Sequence, residues 1–253
     1  MTRTIAFANQ KGGVAKTTST LSTAAALAEL GRRVLAVDVD PQGGLTYSMG
    51  VDPDGLDETV NDVLIRRLPI EKVIVAAEVD LVPANIDLAG AEAVLLAKTG
   101  REYALERALR EIAGRYDYVL IDCPPSLGIL TINGLTAAEE ILIPFECEAL
   151  SHRGVGQLLE TLADIRHFTN PGLRIIGLIA TMYDGRSRHA QAVLADIGSR
   201  YGVPVLQPPI RKSIRFAEAS QAGKSILVHA PTHPGADCYR QLARAIDEGD
   251  RGE

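Results

Sequence analysis

The chain has 253 residues, 46% of them hydrophobic and only 4% aromatic, with no tryptophan. That is enough apolar material for a substantial core of Ala, Val, Leu and Ile, which suits parallel strands covered by helices. A net charge of −6 gives no whole-chain field for nucleic acid, and three scattered cysteines (Cys123, Cys147, Cys238) form no zinc or disulfide pattern.

Apolar strand-like runs alternate with helical patterns along the chain. Thr4–Ala8 reads as a strand and 17–29 as a helix. Arg33–Val37 and Val79–Val82 read as strands, with Asp52–Glu58 as a polar loop between them. Leu88–Leu96 and Glu102–Ala113 read as helices, and Tyr118–Ile121 as a fully apolar strand. Leu130–Ala138 is helical and Glu140–Pro144 extended. Gly154–Phe168 is helical, Arg174–Ala180 a strand, Arg188–Tyr201 a helix, Val203–Leu206 a strand and Pro234–Ile246 a closing helix. The tail 247–253 is expected to fray. Such alternation predicts an α/β fold with a doubly wound, mostly parallel sheet and helices on both faces. No linker or low-complexity stretch divides it, so the expectation is one domain over 1–253. No apolar signal segment opens the sequence, and no run reaches membrane-spanning length.

The segment Gln10-Lys11-Gly12-Gly13-Val14-Ala15-Lys16-Thr17-Thr18 lies between the first strand and the first helix. A strand, a glycine-bearing turn and a helix N-terminus make a phosphate cradle. Lys16 can reach the outer phosphates, and the Thr17 hydroxyl can ligate Mg²⁺. The first Gly of the ordinary P-loop pattern is Gln10 here and the second is Ala15. A Cβ at positive φ costs roughly 1–3 kcal/mol, so φ is expected to be negative at Ala15.

Two strand ends carry acids. Val34–Val37 leads into Asp38-Val39-Asp40-Pro41-Gln42-Gly43, and alternation points Asp38 and Asp40 the same way. Tyr118–Ile121 leads into Asp122-Cys123-Pro124-Pro125. In doubly wound sheets ligands lie at the carboxyl ends of strands. A buried strand that ends in one acid, Asp122, is the physics of a Walker B site beside Mg²⁺. The plainer alternative is that these acids cap loops or a helix. Cys123 reads as a packed residue, with no His near it in sequence.

The loop resembles the deviant Walker A motif of the ParA/MinD group of ATPases, with Lys11 as the extra lysine and Ala15 as the departure. The segment 38–43 is similar to the family's switch I, and 122–125 to its switch II. Ile179–Arg186 resembles the strand and loop beneath the adenine. The stretch from Pro209 to Ala219 resembles the segment I-P-R-N-V-R-x-x-E-A, with Arg211 at the Pro and Ser213 at the Asn. The match covers residues 3 to about 246 and looks like the Soj-type branch of ParA. It implies ATP and Mg²⁺ as ligands, with Lys11 to Thr18, Met182, Arg211 and Ser213 at the nucleotide. It implies that Asp40 acts on the attacking water beside Lys11 and Lys16, and that Thr17, Asp38 and Asp122 serve the metal. It also implies an ATP-bound homodimer, with Lys11 of each subunit reaching the other's phosphates. That dimer would bind double-stranded DNA without sequence preference through Arg186 and Arg215. A ParB-like centromere-binding protein would trigger hydrolysis.

Other readings make different demands. A MinD-like membrane regulator needs a basic amphipathic C-terminal helix, whereas 247–253 is acidic and broken by glycine. An iron–sulfur carrier needs placed cysteines, and Cys123 and Cys147 lack the spacing. A nucleotide-gated binding module without useful turnover shares every motif and is separated only by an assay. The first strand begins at Thr4, which leaves no space for a preceding operator-binding helix-turn-helix.

Overall fold

A computed structural model describes residues 2–148 and 151–249. Its sheet has eight strands: β1 (Arg3–Phe7), β2 (Val34–Asp38), β3 (Val75–Ala76), β4 (Asp80–Val82), β5 (Tyr118–Asp122), β6 (Glu140–Glu146), β7 (Arg174–Thr181) and β8 (Val205–Leu206). Their order is β3-β4-β2-β5-β1-β6-β7-β8. Every neighbouring pair is parallel except β3 with β4. The helices are α1 (Lys16–Glu29), α2 (Gly44–Ser48), α3 (Val60–Arg66), α4 (Leu88–Leu96), α5 (Ala104–Arg110), α6 (Ile129–Ala137), α7 (Ser151–Phe168), α8 (Arg188–Tyr201), α9 (Arg215–Gln221), α10 (Ile226–His229) and α11 (Pro234–Glu248).

The strands β2 and β5 are buried along their whole length, as an interior parallel strand must be. Alternation divides their side chains between two cores. Ile5, Phe7, Ala36 and Leu120 pack toward α1, α9, α10 and α11. Ala6, Leu35, Val37, Val119 and Ile121 pack toward α3 to α8. Asp38 and Asp122 share the parity of Ala36 and Leu120, so both face α1. The register pairs Asp38 with Asp122 directly across β2 and β5. Two acids read from separate parts of the sequence therefore meet under the first helix.

Ala24, Ala25 and Ala26 line α1 beneath α11, which turns Tyr239, Leu242 and Ile246 inward. Each large side chain buried there contributes roughly 1.5–3 kcal/mol. The tail departs from expectation at its start. Asp247 and Glu248 belong to α11, and Asp247 pairs with Arg32 at 2.8 Å and accepts from the Tyr118 hydroxyl. These contacts hold the helix end against the sheet; residues 250–253 lie outside the described residues.

The short helices α2, α9 and α10 have no counterpart in the sequence reading, because fewer than two turns show no period. α2 and α9 meet through Ser48 Oγ and Ser220 Oγ, 2.7 Å apart, and through two glycines. Gly50 and Gly223 both have positive φ, and a Cβ added at Gly223 would sit 2.6 Å from Gly50 Cα. Gly223→Ala is expected to cost stability through both strain and overlap. Gly31→Ala, at φ 80 with open space, carries the strain alone, about 1–2 kcal/mol. Thermal melts should show a clearly larger drop for Gly223→Ala; equal drops would refute the backbone contact.

Candidate nucleotide site

The cradle stands at the carboxyl end of β1. Asn9 is buried and pins the loop's first residue. Its Nδ2 donates to the Pro144 carbonyl at 2.7 Å, and its Oδ1 accepts from Lys11 N–H at 3.0 Å. Gly12 and Gly13 are exposed, with Gly13 at φ 73. Val14 then turns inward, 1% exposed.

Ala15 corrects the expectation of negative φ. It has φ 60 and ψ 36, in the left-handed region, and it is the N-cap of α1. The chain must reverse there to start the helix, and the first helical bond runs from Ser19 N–H to the Ala15 carbonyl at 2.9 Å. A methyl group is the smallest side chain that meets this demand, at about 1–2 kcal/mol relative to glycine. The residue that stands at the family's glycine thus adopts a conformation that favours glycine.

Behind the loop, α1 aims its N-terminus at the cradle. A helix of 14 residues brings unpaired N–H groups and a partial positive charge there. Lys16 is buried, and its Nζ reaches the Lys11 carbonyl at 3.4 Å. Burial lowers its pKa, opposed by the attraction of Asp122. Thr17 Oγ1 donates to Asp122 Oδ2 at 2.7 Å, and Thr20 Oγ1 donates to Asp122 Oδ1 at 3.1 Å. Thr18 is half-buried beside them.

Asp38 and Asp122 are both fully buried. Burial first, then the neighbouring Asp38, pushes Asp122 up to about 8. Burial raises Asp38 to about 6, opposed by its hydrogen bonds from Thr46 and Asp40. Asp38 Oδ2 accepts from Thr46 N–H at 2.9 Å and Thr46 Oγ1 at 2.8 Å; Oδ1 accepts from Asp40 N–H at 3.0 Å. Asp38 thus holds the loop that carries Asp40. Asp40 itself is half-buried, and its Oδ1 accepts from Gln42 N–H at 3.0 Å. Two buried carboxylates and a threonine hydroxyl form an all-oxygen donor set, which fits a hard divalent cation. Such a cation would favour the ionised carboxylates and reverse the effect of burial.

Lys11 points away from its own cradle. Its Nζ lies 2.8 Å from Glu148 Oε2 and 3.2 Å from Glu146 Oε2. On the other side, Ile210 N–H donates to Ala180 and Tyr183 N–H donates to Ile210, so 210–211 runs beside the end of β7. Met182 lies in this turn with φ 49. Ser213 Oγ is 3.2 Å from His233 Nε2, and His233 Nδ1 accepts from Gly235 N–H. Arg211 and Arg186 are exposed and line an open cleft of about 560 Å³ with Tyr183, Asp184, Gly185 and Lys212. Arg186 pairs with Asp184, and Arg215 with Glu218. Cys123 and Cys147 are buried thiols, and burial pushes Cys147 up to about 11 and Cys123 higher still.

The structure therefore gathers Lys16, Thr17, Asp38, Asp40 and Asp122 at the carboxyl ends of β1, β2 and β5. It sets Met182 and Arg211 beside the end of β7 and Ser213 against His233, and leaves Arg186 and Arg215 at the surface. Sequence reasoning missed Asn9, Thr20 and Thr46. Thr20 had a signal, since it lies three residues after Thr17 on the same helix face. Asn9 and Thr46 act through tertiary contacts with 144 and 38, which no local pattern announces.

The chain is similar to known proteins. Residues 2–175 match the family described as AAA domain. The chromosome-partitioning ATPase Soj of Thermus thermophilus is 45% identical over 246 residues, spanning 96% of this chain and 95% of that protein. The sporulation initiation inhibitor protein Soj of Bacillus subtilis is 40% identical over 249 residues, 97% of this chain and 98% of its own. A crystal structure described as cobyrinic acid a,c-diamide synthase from Mycobacterium smegmatis, with bound ADP and magnesium, superposes with a TM-score of 0.89. It is 50% identical and covers 100% of this chain and 96% of its own. A deviant phosphate loop over paired strand-end acids, with likeness to Soj along nearly the whole chain, makes this protein a member of the ParA/Soj family of P-loop ATPases.

Proposed function

We propose that the chain is a DNA-segregation ATPase that binds ATP with Mg²⁺, dimerises around it and holds DNA until a ParB-like partner stimulates hydrolysis. The observation that carries the reading is the cluster beneath α1. Thr17 is bonded to Asp122, Asp38 lies opposite Asp122 in register, and half-buried Asp40 is anchored on Asp38 through its N–H. The backbone of residues 12–18 and Lys16 would hold the triphosphate. Thr17, Asp38 and Asp122 would hold Mg²⁺, which would neutralise charge on the transferred group. Asp40 would orient the attacking water. Met182, Arg211 and Ser213 would flank the base.

DNA contact is assigned to Arg186 and Arg215, which are 92% and 55% exposed at the side chain. Their partners Asp184 and Glu218 are close in sequence, the first exposed and the second half-buried. Such surface pairs are worth about 0–1 kcal/mol, so DNA phosphates can displace them. Dimerisation doubles the patch, which gives a physical reason for ATP dependence in a chain of charge −6. The expected locale is the cytoplasmic nucleoid.

A MinD-like membrane role is the alternative reading. It finds less support, because the apolar face of α11 is already packed on α1. No helix among the described residues is long and apolar enough to cross a membrane.

The test is fluorescence anisotropy on two unrelated duplexes, with ATP, ADP or no nucleotide, over a salt series. Binding should need ATP, ignore sequence and weaken steeply with salt as counterions are released. Arg186→Glu and Arg215→Glu should each remove it and leave ATP binding and dimerisation intact. Unchanged affinity in both variants, or tight binding without ATP, would overturn the DNA assignment.

A further inference from the structure

One buried hydroxyl ties the phosphate loop to the far strand β7. Thr181, the last residue of that strand, is 1% exposed. Its Oγ1 lies 3.0 Å from the Val14 carbonyl oxygen and 3.0 Å from that of Phe145. One hydroxyl hydrogen serves both acceptors, so Thr181 bridges the loop to the end of β6 as well. Each end of the Val14 bond is followed by a strained residue: Ala15 follows Val14 at φ 60, and Met182 follows Thr181 at φ 49. Among the described residues the only other non-glycine at positive φ is Arg67. Left-handed backbone costs an L residue steric energy, and it persists where the surroundings fix it. Here the fixing contact sits between the two strained turns.

We infer that Thr181 is a positioning residue for the nucleotide site. Its hydroxyl holds the Val14 carbonyl inward, which keeps Ala15 left-handed and the first N–H groups of α1 turned into the cradle. Val14 is itself 1% exposed, so its carbonyl has little access to water once the hydroxyl is gone. The loop would then relax toward a conformation that Ala15 prefers and lose its register with the phosphates. This inference rests on the reading of the loop as a phosphate site.

The test uses the full chain and titrates a fluorescent ATP analogue in the presence of Mg²⁺. Thr181→Val keeps the shape and removes the hydroxyl. It should weaken binding roughly ten- to a hundredfold, the usual effect of leaving a buried acceptor unsatisfied. Thr181→Ser restores the donor and should bind within about threefold of the parent, a small fraction of one unsatisfied acceptor. Ala15→Gly added to Thr181→Val should recover most of the loss, because glycine holds the turn without the clamp. Ala15→Val, with Thr181 in place, approaches the same turn from its other end and should also weaken binding. Parental affinity in Thr181→Val or in Ala15→Val overturns the assignment. So does a serine variant as weak as the valine one, or a double variant no better than Thr181→Val alone. A parent protein that binds no ATP sinks the phosphate-site reading, and the inference falls with it.

Discussion

Asp40→Ala should abolish ATP turnover and leave nucleotide binding nearly untouched. The carboxylate does not support the cradle. Its backbone N–H is anchored on Asp38, and among the described residues its own Oδ1 accepts from Gln42 N–H two residues on. What it adds is a half-buried anion near Lys16 and the Asp38–Asp122 pair, where the proposed reading sets the attacking water. A positioned base is worth roughly a hundred- to ten-thousandfold in rate, and turnover should fall by about that factor. Removing a negative charge near a triphosphate should hold affinity steady or raise it slightly. Asp38→Ala makes the contrast. It deletes the acceptor of three hydrogen bonds that shape the loop, so binding and thermal stability should both suffer. Single-turnover hydrolysis alongside equilibrium binding separates the two. Turnover at half the parental rate or better in Asp40→Ala would reject the water-orienting role.

Much of this was legible in the sequence, and the reasons are local. Tyr118–Ile121 and Val34–Val37 are continuous apolar runs, so they had to be interior strands, and alternation carried Asp38 and Asp122 to one face. Leu88–Leu96 and Arg188–Tyr201 match the expected bounds to the residue, the second with a clear amphipathic period and the first as a short, nearly all-apolar run. The helix α3 was missed although Thr59 and Asp62 form a reciprocal capping box around its start, a signal that was present and readable. The left-handed Ala15 was not readable. The sequence suggested that an L residue would avoid that conformation, whereas tertiary contacts fix it. The partners of Lys11 were hidden for a similar reason. Glu146 and Glu148 are 135 and 137 positions away, brought close only because β6 ends beside β1.

Lys11→Ala should leave a monomer that binds ATP and fails to dimerise. In the proposed site Lys16 would serve the phosphates within one subunit, so a second lysine at the loop's start would be surplus there. In the structure its ammonium is held by Glu146 and Glu148, and the hydrogen bond it donates to Glu148 leads in raising its pKa. These contacts are partly exposed, with Lys11 at 29% and Glu148 at 57% side-chain exposure. Pairs of that kind hold by about 0.2–1 kcal/mol. A charge-assisted bond to a phosphate is worth about 1.5–3 kcal/mol, so a triphosphate presented across a two-fold axis can draw the lysine off. The symmetry supplies two such bonds per dimer. Losing both should weaken dimerisation roughly a hundredfold or more, by the same magnitudes. Exposed Gly12 and Gly13 give the loop's start room to swing. Glu148→Gln loosens the resting grip and should leave dimerisation intact or make it tighter. Light scattering with ATP in an Asp40→Ala background reads all of these. A Lys11→Ala protein that still dimerises there, or a Glu148→Gln protein that no longer does, would show that the lysine's place is on its own chain.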